Sequence, residues 1–200
     1  MKGQAIKMRE QFNELVTGAR TVRRFEEEKE ITLEQLKALA DLGRLSPSGA
    51  NLQPLKYILV SSKESREKVF PCLSWAGYLK EWEGPVKGER PGGYIILLRD
   101  KNIAGKAGMD EGIAAQSIFL GAAYQGIKGC FIGSVKREIL AKELEISEEY
   151  EISLVIALGY PKEEVVVEEI REGNVKYWRD EKGVHHVPKR PLEEVIVKSF

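Results

Sequence analysis

Apolar positions along the chain alternate between helical spacing and short apolar runs. Ile6, Phe12, Leu15 and Val16 stand among polar residues at helical spacing and predict a first helix over 4–17. Leu33, Leu36, Leu39, Ala40 and Leu42 repeat that spacing until Pro47 follows, and Thr32 with Gln35 forms a capping-box pattern ahead of them. Residues 55–61 and 94–98 are apolar runs and read as strands, while 63–70 suits a short helix. Residues 110–127 give the strongest helix. Its Asp110 and Glu111 favour the N-terminal end, and its Ala and Gly residues fall on more than one face. Such a helix belongs at the centre of a fold or at a subunit interface. Lys128–Ser134 is a Gly-bounded apolar stretch, 136–144 a short helix, and 151–160 a central strand closed by Gly159-Tyr160-Pro161. Beyond it lies a polar tail with strand-like patches at 165–167 and 195–197.

Between Trp75 and Gly93 the pattern breaks down. Glycines and prolines there forbid a long element, yet Trp75, Tyr78 and Trp82 argue against a disordered linker. The segment reads as an ordered surface loop over 75–93, a candidate lid. Helices and strands alternate too irregularly for a doubly wound sheet, so the fold class is α+β, one domain over 1–200. The last thirty or so residues, about 170–200, lack the pattern for a core of their own and are expected to extend over another surface, such as a second subunit.

Composition narrows the function classes. The 200 residues carry 31 Lys and Arg against 31 Asp and Glu, so no net field draws the chain to nucleic acid or an acidic membrane. The first ten residues hold no apolar signal core, and no stretch is long and apolar enough to span a bilayer, which reads as a cytoplasmic protein. Cys72 and Cys130 lie far apart without CxxC spacing, consistent with two free thiols in a reducing compartment.

Candidate chemistry is concentrated in two segments. Arg20-Thr21-Val22-Arg23-Arg24-Phe25 sets three guanidinium groups and a hydroxyl within six residues, a set that can grip a phosphate. On composition alone a solvated basic stretch facing Glu26-Glu27-Glu28 is the commoner reading. Ser46 to Pro54 packs two prolines, a glycine and two carboxamides into a connection that needs only a few turn residues. A stiff loop with paired amides suits reading a flat, heteroatom-edged ring, although a polar connector explains it equally well. Lys189-Arg190 is a second cationic pair. His185-His186 point apart in an extended chain and have no third ligand nearby, which argues against a metal. No dinucleotide fingerprint, P-loop, serine elbow or catalytic triad is present in the sequence, so an enzyme built on this chain would rely on a cofactor.

Taken in order, RTVRRF (20–25), SPSGANLQP (46–54), DEGIAAQSIFLGAAYQGI (110–127), GCFIGS (129–134), LVIALGYP (154–161) and PKRPLEEVI (188–196) resemble the nitroreductase family of FMN-dependent oxidoreductases, over nearly the whole chain. The resemblance implies a mostly antiparallel central sheet flanked by helices, in an intertwined homodimer with an FMN at each of two subunit interfaces. It assigns FMN contacts to Arg20, Thr21 and Arg23, to Pro47, Ser48 and Asn51, to the backbone of Ile132, Gly133 and Ser134, and to Lys189 and Arg190. NAD(P)H would reduce the flavin and a nitroaromatic, quinone or similar acceptor would reoxidise it in ping-pong fashion, with no catalytic side chain of the protein's own. A non-catalytic flavin or nucleotide binder on the same fold is the alternative.

Overall fold

The structure, a computed structural model, describes residues 2–105 and 108–200. Its centre is a four-stranded sheet of β1 (Leu55–Val60), β2 (Gly93–Asp100), β3 (Lys128–Ile132) and β4 (Tyr150–Gly159). The order is β1-β2-β4-β3, with every neighbouring pair antiparallel. β2 is buried along its whole length because both of its faces are covered. Ile95 and Leu97 face a cluster with Ile156 and Leu158 under α2 (Leu33–Arg44) and α4 (Asp110–Tyr124). Tyr94, Ile96 and Leu98 face the opposite cluster, closed by Val69 of α3 (Lys63–Val69) and Leu140 of α5 (Arg137–Glu143).

The capping box at Thr32 forms as the sequence predicts. Its hydroxyl accepts from the Gln35 N–H at 3.2 Å, and the Gln35 side chain accepts from the Thr32 N–H at 2.9 Å. α2 packs closely on α4 because Gly43 and Gly121 stand at the contact. A Cβ at Gly43 would meet the Ile118 side chain of α4 at 2.9 Å.

Three features differ from the sequence reading. The strand-like patch at 165–167 is a strand, β5 (Val165–Glu169), but the tail goes further than the pattern indicates: β6 (Trp178–Arg179) and β7 (His185–Lys189) join it in a second sheet, ordered β5-β7-β6. Val195–Val197 is not a strand. Val195 closes the one-turn α6 (Leu192–Val195), and the residues after it are exposed with no strand to pair with. α4 is not enclosed all round. Ala114, Ala115, Ile118, Phe119 and Ala122 are buried, whereas Gly112, Ile113, Gln116 and Tyr124 are exposed.

α1 (Lys2–Gly18) projects from the body, with Ile6, Met8 and Phe12 each more than half exposed. The accessible surface is 12672 Å², whereas a compact monomer of 22.5 kDa exposes about 9,500 Å² by the usual surface scaling. Among the described residues, no helix is long and apolar enough to cross a membrane.

Candidate functional site

The RTVRRF segment leaves α1 and runs along the outer edge of β3. Thr21 pairs in parallel with Gly129, and the Val22 N–H donates to the Gly129 carbonyl at 2.8 Å. β3 itself lies close against β4 at Gly129, where a Cβ would meet the Ala157 carbonyl oxygen at 2.4 Å. Val22 and Phe25 are buried, and Arg24 reaches out to Glu89 through two hydrogen bonds of 2.7 Å each. That pairing holds the Glu89 carboxyl below its ordinary range.

Arg20 donates from one terminal nitrogen to the Val16 carbonyl at 2.7 Å, and its Nε is buried without a partner. Lys128 stands beside it and donates to the Gly18 carbonyl. Burial, with Arg20 adding to it, lowers the Lys128 pKa. Arg23 is buried, and its Nε and Nη1 have no hydrogen-bond partner. Its guanidinium lies 4.7 Å from the centre of the Tyr177 ring, a cation–π contact that caps it. The Cys130 thiol is nearby. Burial raises its pKa against the pull of Arg23.

Two residues of the tail complete this cluster. The Glu163 side chain is fully buried and accepts from the backbone N–H groups of Arg23 at 2.5 Å and Arg24 at 3.2 Å, and from Arg179 at 2.6 Å. His185 is 1% exposed, lies edge-on to Tyr177 at 5.3 Å, and has neither ring nitrogen engaged. Burial pushes its pKa down to about 4, with Arg23, Arg179 and His186 adding to the effect and Glu163 opposing it. No sequence signal marks Glu163, Tyr177 or His185. They lie some 140 to 160 positions from Arg23 and meet it only through the return of the chain after β4. His186 points away from His185, as adjacent residues of a strand do. It stacks on Trp178 at 4.1 Å, between Glu168 and Asp180.

The buried neutral His185 has a consequence for stability. Its folded pKa of about 4 lies below the ordinary 6.5, so below pH 6.5 the unfolded chain takes up a proton that the folded chain refuses. Stability should fall as the pH drops from about 6.5 to about 4, by at most about 3 kcal/mol from this group. Melting curves at pH 7 and pH 5 test this. The loss of Tm on acidification should shrink in His185→Phe, and an equal loss in both proteins would assign it elsewhere.

The SPSGANLQP loop is built at the far end of α4. The Ser48 hydroxyl donates to Asp110 at 2.6 Å, the Gly49 N–H donates to the same carboxylate at 3.0 Å, and the Gln53 N–H donates to the Ser48 oxygen at 2.9 Å. Asp110, read from sequence as a helix-start residue, therefore also anchors the loop. Ala50, Asn51 and Gln53 have positive φ values of 48°, 55° and 54°. Three strained non-glycine residues in four positions persist only where the surroundings over-determine them, and such strain gathers at ligand sites. The cavity beside Pro47, Ser48, Gln53, Tyr57 and Asp110 is only about 50 Å³, room for a water and not for a ring.

The remaining positions fall elsewhere. Ile132, Gly133 and Ser134 close β3, and the Ser134 carbonyl accepts from the Ser74 N–H at 3.0 Å. Nothing lies within 4 Å of a Cβ placed on Gly133. Lys189 ends β7, and Arg190 is paired with Glu194 rather than grouped with Arg20. One chain thus separates the two motifs. Ser48 is pinned to the first residue of α4 and Thr21 to the strand that follows its last turn. The 15 residues between span about 22 Å.

Comparison with known proteins bears on this arrangement. The family model described as "Nitroreductase family" matches residues 16–160. The chain belongs to the nitroreductase family. YodC of Bacillus subtilis (strain 168), named as a candidate NAD(P)H nitroreductase, is 24% identical over 169 residues, covering 70% of this chain and 84% of YodC. YdgI of the same organism, named likewise, is 28% identical over 64 residues, 32% of this chain and 31% of YdgI. The chain spans about a third of the length of the first curated relatives it matches. Among solved structures, the nitroreductase family protein from Streptococcus pneumoniae TIGR4 superposes with a TM-score of 0.67 at 16% identity, covering 94% of this chain and 100% of that one. A nitroreductase candidate from Exiguobacterium sibiricum 255-15, solved in complex with FMN, gives 0.63 at 17% identity, with 76% and 88% covered. These likenesses show a nitroreductase-like fold.

Proposed function

We propose that this nitroreductase family member is an FMN-dependent oxidoreductase that passes electrons from NAD(P)H to a nitroaromatic, quinone or similar acceptor, and that it works as a homodimer. The carrying observation is the set of buried, unpartnered nitrogens on Arg20 and Arg23, set along the edge of β3 next to Lys128. Buried donors left unmade are costly, and their clustering calls for an acceptor-rich partner. FMN is such a partner, with an anionic phosphate and a ring edge of carbonyl and imine acceptors. The names of the relatives and the FMN-bound structure of the Exiguobacterium protein support the same reading.

When bound, FMN supplies the redox chemistry, taking hydride from NAD(P)H and delivering electrons to the acceptor. The chain's part is to hold and tune it. Arg20 and Thr21 would bind the phosphate, with Lys189 and Arg190 as further cations once Arg190 exchanges Glu194 for it. Arg23 would face the pyrimidine edge and stabilise negative charge there. The backbone of Ile132, Gly133 and Ser134 would lie along the ring, where the open space at Gly133 admits a flat group.

Pro47, Ser48 and Asn51 would come from the second chain. A twofold axis perpendicular to α4 runs the two copies of this helix antiparallel. The Ser48 end of one chain then meets the Arg20 end of the other. The exposed face of α4, the projecting α1 and a surface about 3,000 Å² larger than a compact monomer's all favour an extensive interface of this kind.

The test is an absorbance spectrum of the purified protein with FMN added, before and after anaerobic NADH or NADPH. A bound flavin spectrum that bleaches and recovers with a quinone or nitroaromatic is expected. Bound FMN without bleaching would mark a flavin binder, and no bound FMN would refute the reading.

A further inference from the structure

Arg23 is fitted to a ligand but closed to one, because two segments distant in sequence lie over it together. Tyr177, ahead of β6, rests its ring on the Arg23 guanidinium at 4.7 Å and packs against the Tyr78 ring at 5.0 Å. Its hydroxyl accepts from the Tyr78 N–H at 3.4 Å. Two residues on, Arg179 lies over the Trp82 ring at 4.4 Å and donates to the buried Glu163. Tyr78 and Trp82 belong to the 75–93 loop. Loop and hairpin are therefore fastened to each other at two points and to the floor through Arg23 and Glu163.

A non-glycine residue of positive φ lies near the start of the loop, Ala76 at 38°, and another a few residues ahead of the hairpin, Glu172 at 50°. Glycines of positive φ follow at Gly84 and Gly88 in the loop and at Gly173 and Gly183 around the hairpin. Such positions absorb the backbone rotation of a moving segment. The closed arrangement gains aromatic and cation–π contact. It also strands two nitrogens of Arg23, Nε of Arg179 and both ring nitrogens of His185 without partners. A cover that leaves so many polar atoms unsatisfied is a shallow resting state.

We propose that the 75–93 loop and the β6–β7 hairpin form a single gate over Arg23, with Tyr177 as its latch and as an internal competitor for the guanidinium face. The occupant it excludes is a planar heteroaromatic with an acceptor edge, and opening is all-or-none because the segments are cross-tied. This rests on the reading of Arg23 as a flavin contact.

Two measurements on the full-length apoprotein test it. In hydrogen–deuterium exchange, residues 75–93 and 177–186 should open together, and Tyr177→Ala should raise exchange in both. A rise confined to the hairpin would overturn the single gate. In stopped-flow uptake of FMN, read by quenching of flavin fluorescence, Tyr177→Ala should associate about tenfold faster, the ratio expected when a latch of about 1.4 kcal/mol is removed. Tyr177→Phe, which keeps the ring and loses the hydroxyl bond, should fall between and guards against a folding defect in the alanine variant. Equal rates in all three proteins would overturn the gate and leave the flavin reading standing. No uptake by any of them would overturn both.

Discussion

Arg23→Ala should cost the protein its flavin while sparing its fold. The guanidinium is buried with two nitrogens unsatisfied, so in the protein alone it is a burden, and the Tyr177 ring caps it. Each charge-assisted hydrogen bond to a ligand is worth roughly 1.5–3 kcal/mol, so losing one should weaken FMN binding by about tenfold to about 150-fold. Stability should change by less than about 1 kcal/mol, because the contact to Tyr177 is exchanged for relief of a desolvated cation. Arg24→Ala is the natural contrast. Arg24 is paired through two hydrogen bonds to Glu89, so its loss should lower stability by about 1–2 kcal/mol and leave FMN affinity nearly unchanged. Isothermal titration with FMN and chemical denaturation, run on both variants, separate the two roles. An Arg23→Ala protein with wild-type affinity would mean that the phosphate and ring lie elsewhere.

The second large effect is expected at a surface that a lone chain would not miss. Ile113 and Tyr124 lie on the outer face of α4, and Tyr124 is 83% exposed. Glutamate at both positions should leave a monomeric protein almost untouched, since exposed substitutions rarely exceed about 0.5 kcal/mol. In a dimer packed through α4, the same change buries two carboxylates from each chain against apolar surface and should cost several kcal/mol. Light scattering should then report a shift from about twice 22.5 kDa to 22.5 kDa, with loss of bound FMN in the same fractions. A wild-type protein that is already monomeric, or a double variant that keeps both its partner and its flavin, would dismiss the two-chain site.

Much of the central sheet was legible from periodicity because burial on both faces leaves an unmistakable apolar run, as in Tyr94–Leu98 and Leu154–Leu158. The start of α2 was legible because its cap is local, Thr32 and Gln35 being three residues apart. The tail was not. β6 is two residues long, and β7 contains Pro188, so neither carries a strand pattern, and both exist only because β5 and the Glu164 carbonyl offer partners. Val195–Val197 had strand composition but pairs with no strand among the described residues. The same division runs through the candidate site. Arg20, Thr21 and Arg23 stand out as a compact motif. The carboxylate that fixes the Arg23 backbone, the tyrosine that covers its side chain and the buried His185 beside them are isolated residues far along the sequence. Only folding brings them together, so no spacing announces them.

The proposed flavin site joins the Arg23 segment of one chain to the Ser48–Asn51 loop of another. Mixed dimers test it most directly. Arg23→Ala and Asn51→Ala chains, each impaired in FMN binding as a homodimer, are refolded together under two affinity tags and the doubly tagged species is isolated. A site shared between chains leaves one site intact in every mixed dimer, so FMN should return at about wild-type affinity to half of the protomers. A mixed dimer as impaired as its parents would place both residues in a site within one chain and contradict the account.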